Sequence, residues 1–130
     1  MLIQVDYNSG EPISRQVVAQ IKWMIVSGKL KAGEKLPSIR GLAKQLKVNP
    51  TTVTRIYNEL SAEDVITLRQ GQGAFVSSKE SVINKGEAKK QVRELARRMI
   101  VESSRLGLSR DDVEGIVENE FSKINGKHND

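Results

Sequence analysis

The sequence predicts a mainly α fold that carries one small β hairpin and ends in two further helices. Three observations predict it: three short apolar stripes at helical spacing between residues 12 and 62, a glycine-punctuated pair of apolar runs at residues 65–76, and two longer helical stripes reaching residue 124. At 130 residues the chain is the size of one compact domain with an appendage.

The first helix is signalled at Pro12, because a proline fits the first turn, where the missing N–H has no intrahelical partner. Ile13, Val17, Ile21, Met24 and Ile25 recur on one face, and Gly28 supplies the stop. Lys29 to Pro37 reads as a connector with a short strand around Lys35 and Leu36. Ser38 is the expected cap of a second helix whose stripe, Ile39, Leu42, Ala43 and Leu46, lasts only about two turns. Val48 is expected as a buried turn residue. Asn49 as cap and Pro50 at the first helical position then open a third helix to Ala62. There Val53, Ile56, Tyr57 and Leu60 share one sector of a wheel turned about 100° per residue, so Thr51, Thr54, Arg55 and Asn58 point away from the core.

Val65 to Leu68 reads as a strand, Gln70 to Gly73 as a turn and Ala74 to Val76 as the returning strand. A fourth helix is expected from Glu80 to Leu106, with Val92, Leu95, Ala96, Met99 and Ile100 on one face and Gly107 at its end. Ser109 and Asp112 have the spacing of a capping box, and Val113, Ile116, Val117, Phe121 and Ile124 continue as a fifth helix. The polar stretch Asn125 to Asp130 is expected to fray. The expected division is therefore a domain at 1–78 and a helical tail at 79–130.

The charge is uneven. Residues 1–78 hold ten Lys/Arg against six Asp/Glu, whereas 79–130 hold eleven against ten, so the basic excess, and with it an anionic partner, belongs to the N-terminal part. No apolar run approaches the roughly 20 residues of a membrane helix, and the start MLIQVDYNSG lacks the pattern of a secretory leader. With no cysteine, disulfides and thiolate metal sites are excluded, and a cytoplasmic location is expected. Catalytic sets are also missing. His128 lies in a polar tail. Asp111, Asp112 and Glu114 sit in the first turn of a helix, where carboxylates favour the dipole. The glycines at 28 and 33 lack the Lys and Ser/Thr of a phosphate-binding loop. No enzyme, metal or cofactor is expected.

A short helix, a tight turn, a second helix with a polar outer face and then a hairpin form a winged helix-turn-helix, which fits a helix into a major groove about 12 Å wide. In that geometry Arg55 is a candidate for phosphate or guanine, with Thr51, Thr52 and Thr54 on phosphate or base edges and Asn49 and Asn58 beside them. Ser38 and Arg40, at the start of the preceding helix, can converge on one phosphate. Arg69, Gln70, Gly71, Gln72 and Gly73 form the tip of the wing and are candidates for the minor groove. The alternative for each is an ordinary solvated surface.

The tail stripes can pack on each other, on the first helix, or on a second copy. Small cores are marginal and two-fold proteins suit two-fold DNA sites, so a dimerisation hairpin is expected, with Val92, Leu95, Met99, Ile100, Val113, Ile116, Val117 and Phe121 as its candidate residues.

The run Leu36-Pro37-Ser38-Ile39-Arg40, then Leu42-Ala43, Leu46, Val48, Thr52-Val53, Arg55, Tyr57 and Leu60, with the wing Gly71 to Val76, resembles the GntR family of bacterial regulators. The likeness covers about half the chain, and the short tail resembles the YtrA subfamily. It implies a repressor acting on a palindromic DNA operator as a homodimer, often beside an ABC transporter gene. Larger effector-binding or aminotransferase-like domains do not fit after Ser78, and no effector pocket is legible. Two positions depart from the pattern: Pro50 replaces an arginine found in some branches, and Asp64 replaces the glycine that commonly precedes the wing.

Overall fold

The computed structural model describes residues 1–78 and 85–128. The chain divides into two compact units, Met1–Lys79 and Glu80–Asp130. The fold is mainly helical with one small β wing.

In the first unit three helices, α1 (Ile13–Val26), α2 (Ile39–Leu46) and α3 (Pro50–Ala62), are followed by the strands β1 (Ile66–Arg69) and β2 (Gly73–Val76). Pro12 sits just before α1 as its cap residue rather than inside its first turn. The strands are antiparallel, with Ile66 opposite Val76 and Arg69 opposite Gly73. Lys35 adds a single bridge to Phe75, which realises the short strand expected there. One core joins all these elements: Val17 and Ile21, Leu42 and Leu46, Val53, Ile56 and Leu60 are enclosed together with Leu36, Ile66 and Val76. These are the apolar stripes brought face to face, and their burial supplies the main driving force for the fold. Val48 is half-buried rather than buried, and Ile39, the first residue of α2, is 36% exposed at the end of its helix.

The ends of α2 and α3 share one solution. At Lys47 (φ 57°) and Asp64 (φ 60°) the backbone turns left-handed. The next amides then reach back into the helix, Val48 N to Ala43 O at 3.0 Å and Val65 N to Leu60 O at 2.9 Å. Such a turn satisfies the last carbonyls and normally uses glycine. Asp64 thus holds a backbone conformation that favours glycine.

Ahead of α1, the segment Gln4 to Asp6 is held by two side chains one helical turn apart. Gln4 N donates to Gln20 Oε1 at 3.0 Å while Gln20 Nε2 donates to Gln4 O. Asp6 N donates to Gln16 Oε1 at 2.9 Å and Gln16 Nε2 donates to Asp6 O at 3.1 Å. Four residues of helix rise about 6 Å and two of strand span about 6.6 Å, so glutamines at i and i+4 can serve alternate residues of an extended chain as a neighbouring strand would. Ile3, just before Gln4, is buried in the core, Val5 between Gln4 and Asp6 packs against that core, and Tyr7 Oη donates to Leu46 O.

In the second unit α4 (Lys85–Arg105) and α5 (Arg110–His128) are joined at Gly107 (φ 82°). The expected start of α4 at Glu80 lies outside the described residues. Ser109 N donates to Asp112 Oδ2 at 2.9 Å and Asp112 N donates to Ser109 Oγ at 3.2 Å, so the capping box is formed. The Ser109 amide, and then its hydroxyl, hold the Asp112 carboxyl below its ordinary pKa. α5 continues to His128, past the Asn125 at which its polar composition predicts fraying. Among the described residues no side chain of this unit is buried. Val113 and Val117 are half-buried, whereas Val92, Leu95, Met99, Ile100, Ile116 and Phe121 are exposed.

Candidate nucleic-acid interface

Two caps set the directions of the helices that build this surface. Ser38 Oγ accepts from Gly41 N at 3.0 Å at the start of α2, and Asn49 Oδ1 accepts from Thr51 N at 2.8 Å at the start of α3, where Pro50 follows as the first helical residue. The Asn49 oxygen is therefore occupied by its own helix. On α3, Thr51, Arg55 and Asn58 are exposed along the outer face, with half-buried Thr52 and Thr54 at its margins. Thr54 Oγ1 donates to Pro50 O at 3.1 Å, which orients that hydroxyl along the helix.

The candidate residues gather in two hollows. One, of about 520 Å³, has Ser38 and Arg40 on one wall, the wing residues Arg69 to Gly73 on the other and Tyr57 at its base. The second, of about 470 Å³, brings Thr52 and Arg55 together with Ser14 from the start of α1. Neither Arg40 nor Arg55 takes part in an ion pair among the described residues. In the wing, Gln72 N donates to Arg69 O at 2.9 Å, and Gly71 (φ 75°) and Gly73 (φ 117°) take the left-handed turn that the hairpin needs.

Three features escape sequence reasoning. The Arg69 guanidinium lies 4.5 Å from the centre of the Phe75 ring, a cation–π contact that fixes the arginine on the wing. Lys35, paired with Phe75, runs its side chain past Gly73, where an added Cβ would meet Lys35 Cε at 3.2 Å. Tyr57 Oη donates to Pro37 O at 2.7 Å, and burial raises its hydroxyl pKa to about 12. Arg69 and Phe75 flank the glycine-bearing turn, a weak signal for the first; nothing local announces the other two.

Among the described residues no group of three or more His, Asp or Glu is placed to hold a metal, and no helix is long and apolar enough to cross a membrane. What remains is an exposed, polar helix face that carries Arg55, beside two shallow hollows and a wing. That shape suits the groove of a duplex.

Comparison with known proteins agrees. The family described as "Bacterial regulatory proteins, gntR family" matches residues 13–76, the stretch from α1 to the end of β2. The HTH-type transcriptional repressor YtrA of Bacillus subtilis (strain 168) is 32% identical over 130 residues, which cover 99% of this chain and 100% of that protein. The chain belongs to the GntR family. Within it the chain is YtrA-like, with two helices, α4 and α5, after the wing. A GntR chain of this kind is a DNA-binding transcriptional regulator. The crystal structure of a transcriptional antiterminator from Listeria monocytogenes EGD-e is similar over 95% of this chain and 92% of its own, with a TM-score of 0.82 and 28% identity. The DNA-binding domain of AraR in complex with operator ORX1 is similar over 58% of this chain and 96% of its own, with a TM-score of 0.53 and 25% identity.

Proposed function

We propose that this GntR regulator is a repressor that binds a palindromic operator as a homodimer, with residues 1–78 reading DNA and 79–130 joining two copies. The observation that carries the reading is the exposed face of α3, where Arg55 takes part in no ion pair among the described residues, beside the hollow lined by Arg40 and the wing. In it, α3 enters the major groove, Arg55, Thr51 and Asn58 meet base edges or phosphate, and Thr52 and Thr54 contact the flanking backbone. Ser38 and Arg40 bind a phosphate at the start of α2, and Arg69 to Gly73 reach the minor groove. Asn49 offers its amide N–H groups, while its oxygen accepts from Thr51 N and caps the helix.

The dimer reading rests on the stripes of α4 and α5, most of whose large apolar side chains stay exposed within their own unit. Control of an operon that encodes an ABC transporter follows from the YtrA-like resemblance, and repression is the activity named for the Bacillus subtilis relative. Cytoplasmic action fits that role.

Selection of operators from random duplexes with the purified protein tests the reading. The expected result is a two-fold site preferred by at least about 10³-fold over random DNA. A preference near unity would make the protein an architectural DNA binder. Retention of a protein partner by a variant with Arg40 and Arg55 replaced, without DNA binding by the wild type, would make it an adaptor. Sedimentation of wild type and Ile116→Lys tests the dimer, since a buried unpaired charge is expected to shift the protein to monomer.

A further inference from the structure

The apolar stripes of the tail are bordered by charge of opposite sign. α4 carries seven Lys/Arg and three Glu, whereas α5 carries five Asp/Glu and three Lys/Arg. At about 100° per residue, Lys89, Arg93 and Arg97 fall along one edge of the α4 stripe, on the side of Ile100. By the same count Asp111, Glu114 and Glu118 fall along one edge of the α5 stripe, on the side of Phe121. All six are exposed.

Within one chain these charges do not meet. The ion pairs of this unit among the described residues, Arg105 with Glu102, Arg110 with Glu114 and Lys123 with Glu120, each lie within a single helix. The two helices make little contact with each other, and a groove of about 870 Å³ opens between them, walled by Met99 and Ile100 on one side and Val113, Val117 and Phe121 on the other.

We infer that α4 of one copy runs antiparallel along α5 of a second copy, held in register by Arg93 and Arg97 against Glu118 and Glu114. This rests on the dimer proposed above and names which helices meet in it. The two charged edges lie on the same rotational side of their stripes, and in an antiparallel pair those are the edges that face each other. A single alignment sets Arg93 opposite Glu118 and Arg97 opposite Glu114, and the same alignment sets Leu95 beside Ile116 and Met99 beside Val113. Pairing α4 with α4 would instead bring the two basic edges together, an arrangement that like charge disfavours. The Arg110–Glu114 pair is solvent-exposed on both sides, so its rearrangement costs little. Two-fold symmetry makes the α4–α5 contact twice.

Charge exchange between copies tests this. Two full-length variants are made, Arg93→Glu/Arg97→Glu and Glu114→Lys/Glu118→Lys, and each is examined by circular dichroism and sedimentation alone and as an equimolar mixture. Because the replaced side chains are exposed, helicity is expected to match wild type. Each variant alone is expected to dimerise at least about tenfold more weakly than wild type, and the mixture to regain wild-type dimer, since both α4–α5 contacts then join opposite charges. Wild-type dimerisation by either variant alone, or a mixture that stays as weak as its components, would overturn the inference. The second outcome is what pairing within one chain gives. A monomeric wild type would overturn the dimer itself, and so is distinguishable from failure of this pairing alone.

Discussion

The Tyr57 hydroxyl donates to the Pro37 carbonyl at 2.7 Å, tying the middle of α3 to the residue just before the Ser38 cap of α2. The bond thereby links α3 directly to the start of α2. Tyr57→Phe leaves the ring in the core and removes only the bond. Its loss is expected to cost about 1 kcal/mol of stability, measured by urea unfolding. Burial raises the hydroxyl pKa from its ordinary 10.0 to about 12, so the folded unit keeps a proton that the unfolded chain releases first. Stability from this group is complete below about pH 10 and declines as the pH rises towards about 12. Wild type is expected to lose Tm faster than Tyr57→Phe across that window; parallel loss would show that the hydroxyl titrates alike in both states.

Lys47 and Asp64 both hold left-handed backbone that glycine adopts without strain. Asp64→Gly and Lys47→Gly are each expected to stabilise the first unit by up to about 1 kcal/mol, with Asp64→Ala destabilising. Chemical denaturation of the three variants checks the order. A destabilised Asp64→Gly would mean that the aspartate side chain contributes more than its backbone strain costs.

Arg40→Ala and Arg55→Ala are each expected to weaken operator binding while leaving the fold intact. Loss of a phosphate contact lowers affinity for all sequences alike and reduces the slope of log K against log salt by about 1. Loss of a guanine contact instead removes about 1–3 kcal/mol of discrimination at one base pair. Titrations at several salt concentrations with matched and mismatched duplexes distinguish the two, and wild-type affinity in either variant would remove that arginine from the interface.

In the wing, Arg69→Ala together with Gln72→Ala is expected to lower DNA affinity with an unchanged circular dichroism spectrum, because both side chains are exposed and Arg69 rests on the surface of Phe75. Unchanged affinity in a gel shift would leave the wing a purely structural element.

Gln16→Ala removes the pair of bonds to Asp6 together with the Nε2 contacts to Ser9 Oγ and Glu11 O, and Gln20→Ala removes the pair to Gln4. At about 0.5–1.5 kcal/mol per bond, the Asp6 and Gln4 amides respectively are expected to exchange with solvent about tenfold faster. Hydrogen exchange followed by NMR measures this. Unaltered protection would mean that burial of Ile3 alone holds the segment.

What the sequence makes legible here is what is encoded within a few residues. Ser38 and Asn49 cap the helices they precede because the cap bond spans two or three positions, and the Ser109–Asp112 box is equally local. The stripe of α3 separates core from outer face because helical rotation is fixed, so Thr51, Arg55 and Asn58 emerge as exposed from counting alone. The helix ends at Lys47 and Asp64 carry no glycine, and their left-handed turn is imposed by what Val48 and Val65 must reach. Lys35 meets Phe75, and Gln20 meets Gln4, across long stretches of chain, so composition gives no hint of them. Val48 lies in the turn between α2 and α3, and Ile39 is the first residue of α2, places where periodicity cannot grade burial.

The bend between α4 and α5 is built wholly from neighbours in sequence. Gly107 N and Leu108 N reach back to Ser104 O at 3.1 Å and Ser103 O at 2.9 Å, while Ser109 and Asp112 close the far side. A hairpin whose corner is fixed in this way needs no enclosed core to acquire its shape. The conformational entropy of the corner is spent before any encounter, so a surface docking on the tail meets a preformed template. Association with it is then governed by collision and orientation rather than by folding, a regime in which differences in affinity are written mainly in the rate of departure.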